Sequence, residues 1–259
     1  MPELPEVEGY ARYFAQHALA QTIVRVDVRD ERVLAVRKEQ LTRALRGHQF
    51  TRVHRHGKHL FADAGSTWLH LHFGMTGDLA YYHNDPPRFA RVIFDFDNGA
   101  HLAFEDMRLF GVVGLTPSPA AYVEEHHLGI DPLDPSFTLK RFREITSRRR
   151  GAVKSLLMSQ EIIAGIGNLY ADETLFEAAI HPRRAIDTLS DDDIRKLHTT
   201  LRRILRDVIT RRVERGLDWP RRYLTNHREV GERCPRCGGT INRMVVFGRT
   251  TYYCTKHQR

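Results

Sequence analysis

The order of apolar and polar positions divides this chain into regions of different period. From about Pro5 to His17 the mixture of apolar and polar residues has a helical spacing. Pro5 suits a first-turn position, and Glu6 and Glu8 favour the positive end of a helix. From Thr22 to Leu115 the pattern switches to short alternating runs, "TIVRVDV", "HLFADAG", "WLHLHF" and "RVIFDFDNGAHLAF", the period of half-buried strands. Asn98-Gly99, between the two halves of the last run, predicts a hairpin. This region is expected to be a β-sandwich with a helix at its start.

Around "TPSPAAYVEEHHLGIDPLDPSF" proline, glycine and acidic residues accumulate and the strand pattern stops, so the segment reads as a linker. Helical segments follow: "TLKRFREITS", "GAVKSLLMS", "LYADETLFEAA" and a long helix after "TLSDDDIRKL". Ser190 is the expected N-cap of the last, with three aspartates in its first turn. Pro182 and Gly216 punctuate the helices, and from about Gly231 short strands return among closely spaced cysteines.

The 259 residues suffice for two moderate domains whose cores need no disulfides. With 41% hydrophobic and 28% charged residues the composition is that of a globular protein. The start lacks a basic patch leading into an apolar stretch, and no run approaches the roughly eighteen apolar residues of a membrane span. The expected location is therefore cytoplasmic. Lys and Arg number 40 against 32 Asp and Glu, a net charge of +8. The excess lies in the segment from Lys196 to Arg259, which holds sixteen basic and five acidic residues. A basic segment on a near-neutral remainder points to a polyanion, most often nucleic acid, although a solvated positive face has the same composition.

The tail "CPRCGGTINRMVVFGRTTYYCTKHQR" contains all three cysteines of the chain. Cys234 and Cys237 form one knuckle, and Cys254 with His257 forms a second. At this spacing the two close a tetrahedral Cys3His site for one structural Zn2+, with the intervening hairpin folded over it. Four protein ligands leave no open position, so the role is structural. Arg249, after Gly248, falls at the hairpin tip, where it is either a phosphate contact or a solvated turn residue.

Other segments offer chemistry that is ambiguous residue by residue. In "EIIAGIGNLYADETLF" two glycines permit a tight turn between helices, and Asn168 can cap the second helix or donate its amide to a phosphate. Lys58 in "RHGKHL" lies in a basic run before a strand, where a solvated edge lysine is the ordinary reading. Met75 in "HFGMTGDL" and Arg108 and Phe110 in "EDMRLFG" could together wedge into a duplex and fill the space left by an extruded base. Singly, Met75 and Phe110 read as core residues.

The chain begins "MPELPEVEGY". Removal of Met1, which the small Pro2 favours, leaves a secondary amine at the terminus. An α-amino group has a pKa near 8, about two units below lysine, and the positive end of a helix disfavours its protonated form further. Attack of such an amine on a sugar aldehyde carbon gives an iminium, a charged electron sink. Glu3 beside it can shuttle protons.

With these residues assembled, the chain resembles the formamidopyrimidine-DNA glycosylase/endonuclease VIII family of base-excision repair enzymes. The matching pieces are "PELPEVE", "GKHL", "HFGMTG", "DMRLFG", "GIGNLYADE" and the cysteine tail, in family order and spanning essentially the whole chain. The resemblance implies an α+β, two-domain protein: an N-terminal β-sandwich with an N-terminal helix, and a C-terminal helix–two-turn–helix domain with a zinc-finger β-hairpin. Double-stranded DNA carrying an oxidised base or abasic site would lie between the halves, and the protein would act as a monomer. The corresponding boundaries are 1–118 for the catalytic domain, 119–137 for the linker, 138–225 for the helical domain and 226–259 for the finger.

Carried over by position, Pro2 is the nucleophile at C1′ and Glu3 moves protons during glycosidic cleavage and ring opening. Lys58 serves β-elimination and Arg249 assists δ-elimination. Met75, Arg108 and Phe110 fill the void, while Asn168, Arg249 and Arg150 hold phosphates. The implied activity is removal of oxidised purines followed by strand cleavage. Departures from the family pattern are His257 in place of a fourth cysteine, and Leu109 where many oxidised-purine enzymes carry a second arginine. "RGLDWPRRYL" also stands where they carry a glycine- and threonine-rich loop. The alternatives are an enzyme for oxidised pyrimidines and, in another class, a non-catalytic damaged-DNA-binding protein. The latter would need none of Pro2, Glu3 or Lys58.

Overall fold

The computed structural model describes residues 2–259. The described residues divide into two compact units, one ending at His127 and the other running from Leu128 to Arg259.

The first unit opens with helix α1 (Leu4–Ala18), which buries Leu4, Val7, Ala11 and Phe14. Strand β1 (Ile23–Val28), helix α2 (Lys38–Leu45) and strands β2 (Arg52–His56), β3 (His59–Asp63), β4 (Trp68–His72), β5 (Gly77–Tyr82), β6 (Ala90–Phe96), β7 (His101–Asp106) and β8 (Val112–Thr116) follow. They form two four-stranded antiparallel sheets, in the orders β1-β6-β7-β5 and β2-β3-β4-β8. One core joins them: Leu60, Ala62, Leu69, Leu71 and Val113 of the second sheet pack with Val26, Val92, Phe94, Leu102 and Phe104 of the first. The period-2 pattern thus yields the expected sandwich. Asn98-Gly99 sits in the β6–β7 turn, where Gly99 has φ +80° and Asn98 Oδ1 accepts from Ala100 N. The region read as a linker carries a short helix, α3 (Pro119–Glu125), which Ser118 caps by accepting from Ala121 N.

The second unit contains α4 (Leu139–Ser147), α5 (Val153–Met158), α6 (Asn168–Glu177) and α7 (Asp191–Val208), then strands β9 (Ile241–Val246) and β10 (Arg249–Cys254) as a hairpin. Ser190 caps α7 in a reciprocal pair with Asp193. The buried stripe of α7 is Leu197, Leu201, Ile204, Leu205 and Val208, which has helical spacing. Gln160 shapes the turns between α5 and α6: its amide donates to Met158 O and Ile166 O, and its Oε1 accepts from Gly165 N. Gly165 there has φ +99°, a conformation that favours glycine. The hairpin packs on α6 through Phe176, Leu224, Ile241 and the cysteines. Among the described residues no helix is long and apolar enough to cross a membrane.

Candidate active site and metal centre

At the beginning of the chain the sequence builds a closed helix cap. Glu3 is the N-cap of α1 and is only 3% exposed, while its backbone N–H donates to Glu6 Oε2 at 3.0 Å. Pro2 therefore stands immediately before the positive end of a buried helix. Glu6 closes the cap, a role that its spacing from Glu3 signals. Glu8 performs a third task. It accepts from Arg55 Nε at 2.9 Å and from Arg12 Nε at 3.0 Å. Burial pushes its carboxyl up, but the two guanidinium groups outweigh this and hold it below the usual range.

Arg55 also donates to Gly57 O at 3.2 Å. Gly57-Lys58 is the two-residue turn between β2 and β3, with His56 paired to His59 and Gly57 at φ +56°. The Glu8–Arg55–Gly57 chain thus ties the first helix to the turn that carries Lys58. Burial and the nearby Lys58 charge lower His72 to about 4, and its Nδ1 accepts from Gly74 N. Lys58 is therefore close to an uncharged imidazole.

Met75, Arg108 and Phe110 are brought together by a residue that the sequence does not single out. Asp106, fully buried at the end of β7, accepts from Thr76 Oγ1 at 2.5 Å, Arg108 N at 3.1 Å and Gly111 N at 2.6 Å. It latches the β4–β5 turn to the 107–111 loop. A β-carbon at Gly74 would lie 2.4 Å from the Phe110 backbone carbon, so only glycine permits this approach. The latch leaves Met75 42% and Phe110 53% exposed, contrary to their single-residue reading as core, and places the Arg108 guanidinium 5.0 Å over the Phe110 ring. Leu109 takes a left-handed conformation, φ +59°, and packs on the core. A side chain at this position points inward, which accounts for an apolar residue here.

In the second unit Asn168 is the first residue of α6. Its Oδ1 accepts from Lys154 Nζ at 2.7 Å and its Nδ2 donates to Thr250 O at 2.9 Å. Lys154 is wholly buried and also donates to Thr251 Oγ1 at 2.6 Å. Asn168 is thus joined to the strand that Arg249 begins, and Arg249 itself is exposed beside Gly248 at φ +67°. Arg150 is exposed, 4.0 Å from Asp187.

The Sγ atoms of Cys234, Cys237 and Cys254 converge within 4.8 Å of one another. Cys237 and Cys254 sulfurs are 3.6 Å apart, close to the separation of about 3.8 Å that two thiolates about 2.3 Å from one tetrahedral zinc would have. A β-carbon at Gly239 would stand 3.2 Å from Cys254 Sγ and 3.3 Å from Cys237 Sγ, so the loop leaves space around the thiols. The N–H of Gly239 pulls the Cys237 thiol down, while burial pushes Cys234 up to about 11. These donors fit a structural zinc ion, which when bound supplies the cross-link that holds the hairpin. His257 lies outside the three-sulfur cluster. Its Nε2 donates to Phe176 O at 2.9 Å, which leaves the lone pair on Nδ1.

Comparison with known proteins finds a family match in three segments of the chain. Residues 1–113 match the formamidopyrimidine-DNA glycosylase N-terminal domain, residues 128–215 the formamidopyrimidine-DNA glycosylase H2TH domain, and residues 231–256 the zinc finger found in FPG and IleRS. The formamidopyrimidine-DNA glycosylase of Desulforamulus reducens is 35% identical over 279 residues, covering 100% of this chain and 99% of its relative. That of Roseiflexus sp. is 35% identical over 277 residues, covering 100% of both. Among solved structures, the Lactococcus lactis enzyme bound non-covalently to DNA containing an AP site superposes with a TM-score of 0.89 at 30% identity, covering 99% of each chain. MutM in complex with DNA containing carbocyclic 8-oxo-G superposes equally well, with a TM-score of 0.89 at 30% identity over 100% of both chains. The chain belongs to the formamidopyrimidine-DNA glycosylase family.

Proposed function

We propose that this protein is a base-excision repair glycosylase that removes oxidised purines of the formamidopyrimidine and 8-oxoguanine type from double-stranded DNA. We further propose that it then cuts the strand as an abasic-site lyase. The observation that carries the reading is the position of Pro2, directly before the buried Glu3 cap of α1.

Once Met1 is removed, the Pro2 nitrogen attacks C1′ of the extruded nucleotide. The glycosidic bond breaks, and the base leaves with that electron pair and a proton. Glu3 transfers protons as the sugar ring opens to the iminium. Loss of a C2′ proton then expels the 3′ phosphate, and loss of a C4′ proton expels the 5′ phosphate. Lys58 serves the first elimination and Arg249 the second. A base can be reached only outside the stack, so Met75, Arg108 and Phe110 occupy the vacated space. Asn168, Arg249 and Arg150 hold the backbone phosphates. Cys234, Cys237, Cys254 and His257, the last through Nδ1, hold the zinc. Residues 1–118 form the catalytic domain, 138–225 the helical DNA-binding domain and 226–259 the finger.

The test is borohydride trapping on duplexes with 8-oxoguanine, an oxidised pyrimidine or an abasic site. Protein with a verified Pro2 terminus should form a covalent adduct with the abasic and 8-oxoguanine duplexes. Protein that retains Met1, whose Pro2 nitrogen is a tertiary amide, should form none. Faster trapping on the pyrimidine lesion would move the substrate assignment to that class, and no trapping on any duplex would remove the lyase.

A further inference from the structure

The tip of the finger hairpin carries an apolar side chain that neither the core nor the void-filling set uses. Val246 pairs with Arg249, so Phe247 and Gly248 alone make the turn between β9 and β10. Phe247 has φ +51° and Gly248 φ +67°, the pattern of a type I′ turn, in which both central residues take positive φ. Asparagine, aspartate and glycine adopt it readily, whereas a bulky phenylalanine does so under strain. Strain that a smaller residue would relieve points to a use for the side chain. Phe247 is 67% and Val245 61% exposed, and they are the two most exposed large apolar side chains among the described residues.

We propose that Phe247, with Val245 behind it, is an apolar prong that packs on DNA, against the deoxyribose and base of the nucleotide beside the one whose phosphate Arg249 holds. The prong has this occupant only if the protein is the DNA glycosylase proposed above. Charge and chemistry both select it. The segment from Lys196 to Arg259 holds sixteen basic and five acidic residues, and Arg243 and Arg249 are exposed on the same hairpin, so the surface around the tip attracts a polyanion. A phenyl ring has no favourable contact with a phosphate. The apolar surfaces that DNA offers next to one are the deoxyribose and, where the stack opens around an extruded base, the face or edge of a neighbouring base.

The prong stands on a fixed mount. Asn168 Nδ2 donates to Thr250 O at 2.9 Å, and Arg183 donates to Val245 O at 3.0 Å. On the face of the hairpin opposite Val245, Val246 and Thr251 are buried. A side chain whose backbone is already placed loses little freedom on contact, so its burial appears in affinity. The ring touches no reacting atom; it positions the strand that Arg249 and Asn168 grip. Because the ring is uncharged, its contact releases no counterions. Phe247 therefore governs affinity without governing its salt dependence, whereas Arg249 governs both.

The test is fluorescence-anisotropy titration of the zinc-loaded full chain on a duplex containing a tetrahydrofuran abasic analogue, at several salt concentrations. Phe247→Asn supplies a residue that the turn prefers, so this variant should keep its zinc and unfold in urea at the same or a higher midpoint. Its affinity for the duplex should nevertheless fall about tenfold, within the range of an aromatic contact to one base. The slope of log affinity against log salt should stay unchanged. Arg249→Ala should lower affinity and make that slope shallower by about one. Phe247→Trp, which keeps an apolar ring at the tip, should retain binding. If the unaltered protein binds and Phe247→Asn binds equally well, the prong is overturned while the glycosylase reading stands. A shallower salt slope in Phe247→Asn, or lost self-association as its only effect, would overturn the prong in the same way. No binding by the unaltered protein would overturn both.

Discussion

Lys154 Nζ stands 2.5 Å from Asp172 Oδ1, with neither side chain exposed to solvent. Arg228 reaches the other oxygen of the same carboxylate at 2.9 Å, and Tyr252 N donates to it at 3.3 Å. Lys154 also holds Asn168 and Thr251, so one buried cation links α5, α6 and the zinc-finger hairpin. Such a pair contributes little over an apolar replacement of both partners, but loss of Lys154 takes one of two cations from a buried carboxylate, and loss of Asp172 leaves a buried ammonium without its counter-charge.

The single substitution Lys154→Met should therefore lower unfolding stability by about 3–5 kcal/mol. It should also weaken DNA binding through the released Asn168. The pair of changes Lys154→Met and Asp172→Leu should cost less than the sum of the two alone. Urea unfolding of the four proteins in a double-mutant cycle measures this.

Asp106→Ala removes a buried acceptor from three donors, Thr76 Oγ1, Arg108 N and Gly111 N. The expected loss is about 2–4 kcal/mol for unsatisfied groups at a buried position. The loops that carry Met75, Arg108 and Phe110 should loosen with it. Excision of a damaged base, which requires the vacated space to be filled, should fall more than cleavage at a preformed abasic site. Rates on the two duplexes, compared at a temperature where the variant is folded, decide this.

Metal analysis should find about one zinc per chain. Removal by a chelator should abolish DNA binding while most helical circular dichroism persists, because only the hairpin depends on the ion. His257→Cys should retain the metal and His257→Ala should hold it more weakly, as measured by competition with a colorimetric chelator.

The buried histidines of β3 and β4, His59, His70 and His72, also make a prediction about acid. Burial pushes His59 to about 2, His70 to about 3 and His72 to about 4, with neighbouring charges adding to it. An unfolded histidine titrates near 6.5. Between these values the unfolded chain binds more protons than the folded one. Stability is thus fully present above pH 6.5 or so and is lost as the pH falls toward 4 and below. Each ring contributes a slope of at most about 1.4 kcal/mol per pH unit. His70→Phe should flatten the decline between pH 6 and 4, a window set by the histidine shift. Chemical denaturation across that range provides the measurement.

Much of the architecture was legible in local pattern. The period-2 runs became strands, Asn98-Gly99 became a turn, Ser190 capped α7, and the two cysteine knuckles brought three sulfurs together. Each of these depends on neighbours within a few residues, or on a motif whose spacing encodes its own closure. The segment after Leu115 was harder to read, because the short helix α3 starts at Pro119 among residues that equally signal a loop.

The sequence by itself determined the period of each element, the caps, the cysteine spacing and the order of motifs that carries the family resemblance, because these properties reside in short stretches of chain. Only the tertiary structure decided what Glu8, Asp106, Lys154 and the histidines do. Nothing in "GAVKSLLMS" marks Lys154 for burial; its partners Asn168, Asp172 and Thr251 arrive from later elements. Glu8 meets Arg55 across 47 residues, and His59 meets His70 through strand register. Long-range pairing and desolvation turn these ordinary polar residues into ties, latches and neutral imidazoles. Neither exists until the chain has folded.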